Sequence, residues 1–308
     1  MKNTSNQATT QNPSVAQGTR VGFIAIVIFG TIALLTTLTQ GVIPPFQMMA
    51  MCFSIAFILI CLRWIKNKEN GFRYIRQPLF SWIIGVAGLF GFHFFYFKGM
   101  SLAPAVEVSL ITYLWPLLIV LFSSFLPGEK LRFYHLIGAV LALVGCWILI
   151  SGKDGGTGFD LNYLTGYLCG LGAAISWGLY STLSRLVRNV PTDAVGWFCF
   201  ATAILALIYH LFFETTVWPA TSLQWIGIIG LGLGPVGAAF FFWDYGVKYG
   251  NIQLVGTLAY LTPLISTLLL IIFGYAEASF SVIASGLLIV SGSVVASGLW
   301  LRLFRTNK

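Results

Sequence analysis

Seven side chains carry most of the chemical options of this sequence: Tyr96, Tyr113, Trp115, Trp177, Tyr260, His93 and Glu107. The first five are planar. An aromatic face stacks on another flat group for ~0.5–1.5 kcal/mol beyond the area it buries, and the polar tip of a Tyr or Trp needs a hydrogen-bond partner once it leaves water. Together these five would wall a cavity for a flat ligand; for each alone, packing between helices is the simpler role. Glu107 could contact an ammonium group or carry a proton. His93 could serve a ligand or a proton, or be a core histidine bonded to a carbonyl. Asp244 has Lys248 four residues on, the spacing of a local ion pair on one helix face. Lys98 and Lys248 read as interfacial lysines whose stems snorkel, and Glu129 and Glu277 as residues that organise helix-end loops. Covalent chemistry finds no footing. The chain has no G-x-x-x-x-G-K-[ST], no H-E-x-x-H and no G-x-S-x-G, so it does not read as an enzyme. Cys52, Cys61, Cys146, Cys169 and Cys199 are scattered with no C-x-x-C pair, which implies neither a metal site nor a disulfide framework, and no cofactor is indicated.

All seven residues lie in long apolar runs. Of 308 residues 57% are hydrophobic and 8% charged, against ~25% charged in soluble domains. A helix crosses a bilayer with ~20 mostly apolar residues. Ten such runs occur, at about 21–41, 45–62, 79–99, 104–126, 132–151, 163–184, 193–213, 223–246, 251–273 and 280–301. The expectation is an all-α polytopic membrane protein of ten transmembrane helices. Residues 1–20 are polar and low in complexity and read as a disordered tail; 303–308 form a second short tail. The net charge of +8 is a topology signal, not a nucleic-acid footprint. With the N-terminus inside, fifteen Lys and Arg fall on one side, and only Lys98 and Lys153 on the other. That bias predicts both termini in the cytoplasm.

The chain also resembles itself. Shifted by 147 positions, residues 85–121 match Gly85/Gly232, Phe94/Phe241, Gly99/Gly246, Tyr113/Tyr260, Leu114/Leu261 and Pro116/Pro263, among ten identities. The predicted halves are 21–151 and 163–302, joined by a Gly-rich linker at 152–162. Five spans per half is odd, so the second half enters the membrane from the opposite side, a 5+5 inverted-topology repeat of the kind that transporters use around a midplane site. A mid-helix proline removes one hydrogen bond, and in a membrane the freed carbonyl must meet protein or a wet cavity. Pro116 and Pro263 are therefore expected to kink spans four and nine beside a shared central space, with Pro235 a third break. The repeats differ at Trp115/Thr262 and Glu107/Leu254, where a symmetric scaffold would define one ligand pose.

Ten spans, the inverted repeat, the prolines of spans four and nine and the acidic residue after each resemble the EamA branch of the drug/metabolite transporter superfamily. Within it, ITYLWPLL (111–118), ISWGLYSTLSR (175–185) and FHFFYFKG (92–99) are similar to the YddG-like exporters of aromatic amino acids. The resemblance implies a secondary or facilitative carrier in a bacterial cytoplasmic membrane. It would export amino acids by alternating access, aromatic ones preferred and other neutral ones accepted, and function as a monomer with no partner beyond substrate and bilayer. Two alternatives stand beside it. The same aromatic walls could bind quaternary ammonium or drug-like cations by cation–π attraction, and an intramembrane enzyme or lipid-handling protein would need a nucleophile–base pair or lateral cleft.

Overall fold

The computed structural model describes residues 14–151 and 160–298, and the described chain is helical throughout, with no strand among those residues. Most of the expected tails and linker thus lie outside the described residues. In chain order the helices are α1 (Val15–Phe29), α2 (Ile32–Leu38), α3 (Pro45–Lys66), α4 (Leu79–Leu102), α5 (Ala105–Thr112), α6 (Trp115–Phe122) and α7 (Phe133–Ser151). Then follow α8 (Leu164–Leu183), α9 (Ala194–Phe213), α10 (Ser222–Leu233), α11 (Ala239–Tyr249), α12 (Ile252–Leu258), α13 (Leu261–Ile272) and α14 (Phe280–Ser297).

Local chemistry sets these boundaries. α1 starts at Val15, not at Val21, which corrects the expected extent of the N-terminal tail. The Ser14 side chain accepts the Gln17 N–H, and Gly18 packs directly on the Tyr249–Gly250 backbone. A polar but capped first turn lies outside any apolar run, so hydropathy alone does not find it. α4 ends where Pro104 holds Ala103 in extended backbone. α10 opens with a capping box between Thr221 and Gln224. Between α10 and α11, Gly234–Ala238 forms a π-helical turn around Pro235. A missing N–H is accommodated there by a wider turn rather than a full break.

Nine segments among the described residues are long and apolar enough to cross a membrane: Val15–Leu38, Pro45–Lys66, Leu79–Leu102, Ala105–Phe125, Phe133–Ser151, Ala194–Phe213, Ser222–Tyr249, Ile252–Ile272 and Phe280–Ser297. The tenth expected span corresponds to α8, which has the length but not the same hydropathy, because glycine, serine and threonine dilute it.

The most extensive packing joins α7 to α14, α4 to α8, α1 to α11 and α3 to α9. Small residues make the closest of these seams. Gly138 on α7 faces Gly292 on α14, and Gly22 on α1 faces Gly246 on α11, so near that a Cβ on Gly138, Gly292 or Gly246 would collide with the opposing backbone. In lipid, helix association depends on such backbone approach because apolar side chains gain little by leaving one another for acyl chains.

Candidate functional site

The site is organised by two interrupted helices. α5 stops at Thr112 and α6 begins at Trp115; α12 stops at Leu258 and α13 begins at Leu261. Pro116 is the second residue of α6 and Pro263 the third of α13. Pro263 has no N–H to offer the Ala259 carbonyl, which instead takes the Thr262 N–H at 3.0 Å. α12 lies against α6, where Gly256 approaches so closely that a Cβ would sit 3.3 Å from the Pro116 carbonyl.

Trp115, at the start of α6, meets two other tryptophans. Its ring centroid is 6.3 Å from Trp177 on α8 and 5.7 Å from Trp243 on α11, at interplanar angles of 81° and 82°. Trp177 and Trp243 are near parallel, 6.1 Å apart at 28°. Phe29 of α1 and Phe240 of α11 also contact Trp177, and Phe92 of α4 closes on it at 5.4 Å. These indoles differ in their polar ends. Trp243 donates its ring N–H to the Ser181 hydroxyl at 3.0 Å. The ring N–H groups of Trp115 and Trp177 have no hydrogen-bond partner among the described residues.

The other expected wall residues divide into two groups. Tyr96 lies parallel to Phe92 at 6.1 Å and extends the tryptophan cluster along α4. Tyr113 and Tyr260 instead pack with Leu117 and Leu264 against Cys146 and Ile289, on the α7–α14 side. Tyr260 is fully buried, and its hydroxyl faces the Leu117 backbone outside hydrogen-bond geometry. Tyr96, Tyr113 and His93 are enclosed by neighbouring helices yet keep partial accessibility.

Of the titratable candidates, His93 borders the tryptophan cluster through Phe92 and Phe240. His93 bonds the Leu89 carbonyl through Nδ1 at 2.7 Å, with its ring among Phe53, Phe92, Phe97 and Phe240. A carbonyl only accepts, so Nδ1 carries the proton and a neutral ring presents Nε2 as an acceptor. Glu107, in the first turn of α5, is buried and receives the Tyr167 hydroxyl of α8. Asp244 does pair with Lys248, at 2.8 Å, but Lys248 does not snorkel: both side chains are 3% exposed. The lysine also donates to the Val190 carbonyl at 2.9 Å, and the carboxylate accepts from Thr192 at 2.7 Å. The α8–α9 loop supplies those partners, and a linear reading of α11 has no access to them. Glu129 pairs with Arg185 and accepts from Gln253 at 3.2 Å, so three helix ends meet at one carboxylate. Glu277, its counterpart, is exposed.

Sequence reasoning missed Trp243, Phe240 and Ser181. The signal was present in the repeat: at a shift of 147, Trp243 answers to Tyr96 and Phe240 to His93.

Comparison with known proteins gives this arrangement a family. A model of the EamA-like transporter family matches twice, over residues 18–151 and 164–298. A protein of Ancylobacter novellus named aromatic amino acid exporter YddG is 44% identical over 284 residues, 92% of this chain and 98% of that one. The Escherichia coli protein of the same name is 27% identical, over 91% of this chain and 96% of its own. A solved structure titled only as the crystal structure of a protein superposes with a TM-score of 0.90 at 44% identity, covering 94% of this chain and 99% of the other. Two matched copies, a multi-pass helical fold and full-length relatives agree: the chain belongs to the EamA-like transporter family.

Proposed function

We propose that this protein exports amino acids across a bacterial cytoplasmic membrane, with aromatic side chains preferred. The tryptophan cluster carries the proposal. Trp115 comes from the first family copy, Trp177 and Trp243 from the second, and they meet beside the interruption between α5 and α6. A planar side chain entering between these rings would exchange one aromatic neighbour for another, and the free indole N–H groups of Trp115 and Trp177 would serve the polar end of the substrate. Partial accessibility of the enclosed Tyr96, Tyr113 and His93 is what the rim of an internal crevice would have. The names of the relatives at 44% and 27% identity favour the same substrate class.

The movement that would carry the substrate rests on ten spans in two inverted halves, with α8 as the sixth. The packing supports this. Exchange of the halves turns the α1–α11 contact into the α8–α4 contact and returns α3–α9 and α7–α14 to themselves, and all four are the main seams of the fold. A pseudo-twofold scaffold of that kind can rock between outward and inward states around a fixed centre. Both termini would face the cytoplasm. Glu129, Arg185 and Gln253 would then close the inner side, and the bonds from the Phe46 and Gln47 N–H groups to Glu214 would close the outer side.

The test is counterflow in proteoliposomes with labelled phenylalanine, threonine and a quaternary ammonium. Uptake of phenylalanine ahead of threonine supports the proposal. Preferential uptake of the ammonium would replace it with the cation exporter, and no counterflow of any of the three would reject it.

A further inference from the structure

A groove of about 400 Å³ opens on the outer surface of the helix bundle, away from the tryptophan cluster. Ile75, Trp82 of α4, and Trp197, Phe200, Ala201, Ile204 and Leu205 of α9 line it. From Trp197 to Leu205 the groove follows α9 for ~12 Å at 1.5 Å per residue. That covers most of the ~15 Å hydrocarbon half of a bilayer. Two indole N–H groups pin the short 3-10 turn Gly71–Ile75 over one end: Trp82 donates to the Ile75 carbonyl at 3.2 Å and Trp197 to the Gly71 carbonyl at 3.0 Å. The tryptophans therefore present their rings to the groove while their polar edges hold its roof.

That roof is strongly basic. Residues 63–76 contain Arg63, Lys66, Lys68, Arg73 and Arg76 against the single acid Glu69. Two of the cations are already matched, Arg63 by Asp193 and Arg73 by Glu69. The Tyr74 hydroxyl beside Glu69 holds its carboxyl below the usual carboxylate range, which keeps that pair charged. Among the described residues no ion pair engages Lys66, Lys68 or Arg76, and Arg76 directly follows Ile75, which lines the groove.

We infer that this groove is a binding site for an anionic glycerophospholipid, with one acyl chain between α4 and α9 and the phosphate at Arg76. Charge complementarity selects the occupant: an apolar slot of one acyl chain's size ends at unmatched cations. The lipid belongs to the cytoplasmic leaflet in so far as the proposed orientation holds; the binding itself is independent of that orientation and of the substrate.

Native mass spectrometry of the purified full-length protein in detergent, titrated with phosphatidylglycerol or with phosphatidylcholine of the same chains, tests the inference. Wild type should retain one phosphatidylglycerol in preference to phosphatidylcholine. Arg76→Gln should reduce that preference about fivefold, the worth of one basic residue at an anionic surface. Ala201→Trp, which fills the groove, should abolish retention of both lipids. Equal retention of the two lipids by wild type would overturn the assignment, as would undiminished phosphatidylglycerol binding by either variant. So would a dimer that Ala201→Trp dissolves, which would make a second copy of the chain the occupant. Arg76 is exposed and makes no ion pair among the described residues, so its variant is expected to fold and decides the matter even if the groove-filled one does not.

Discussion

A tryptophan whose ring edge meets two others does two jobs, and truncation separates them. If Trp115 and Trp177 grip a planar substrate, replacing either with alanine should weaken phenylalanine far more than threonine. A lost stacking contact with its buried area is worth ~2–3 kcal/mol, or roughly 30- to 150-fold in affinity. Trp115→Phe should be milder, since it keeps a ring and loses only an N–H that no group among the described residues accepts. Counterflow with both substrates, on variants matched for folded protein, reads the difference; equal losses would assign the tryptophans to packing. Trp243→Phe makes a contrast, because its N–H is spoken for by Ser181. That change should cost about 1 kcal/mol of stability and affect both substrates alike. At this scale the sequence was partly legible. Trp115 and Trp177 announced themselves by depth and neighbours, whereas Trp243 needed the repeat register to be followed past identical pairs to similar ones.

The helices themselves show which sequence signals survive folding. A helix interruption lies one residue before Pro116 and two residues before Pro263, and a π-helical turn surrounds Pro235. Hydropathy located nine spans but placed the start of α1 too late, because a serine cap and a glycine contact, rather than greasiness, begin that helix. Long-range polar ties were invisible. Lys248 looked interfacial from its position, yet it is buried against Asp244 and the Val190 carbonyl, and with the Thr192–Asp244 bond it fastens α11 to the loop before α9. Lys248→Met should therefore lower stability by ~3–5 kcal/mol, since it leaves Asp244 buried without its counter-charge. The double change Lys248→Met with Asp244→Asn should recover much of that loss. Thermal unfolding in detergent checks both. A single variant as stable as wild type would mean that water, not the partner, satisfies the carboxylate.

For the molecule as a whole, the charge asymmetry makes the orientation testable. Reporter fusions after Arg76 and after Lys153 should report the cytoplasm and the opposite face respectively. The same location for both would refute the inverted arrangement, since five crossings separate the first half from the second only if α7 ends on the far side. Length and composition were enough to indicate a multi-pass helical protein, because lipid admits few ways of satisfying a backbone. The pairing of particular helices was not legible, since the Gly138–Gly292 and Gly22–Gly246 seams join positions that no single periodicity connects.

Those seams bear on how the protein is made. Every one of the main helix contacts joins the first family copy to the second. While the ribosome is still synthesising α8 onward, the glycine faces of α1 and α7 have no partner and lie against lipid or the insertion machinery. The early helices are therefore inserted before they are packed, and assembly must wait for the late ones. A nascent chain arrested at the linker would leave the notches at Gly22 and Gly138 unsealed, because the helices that fill them belong to its other half.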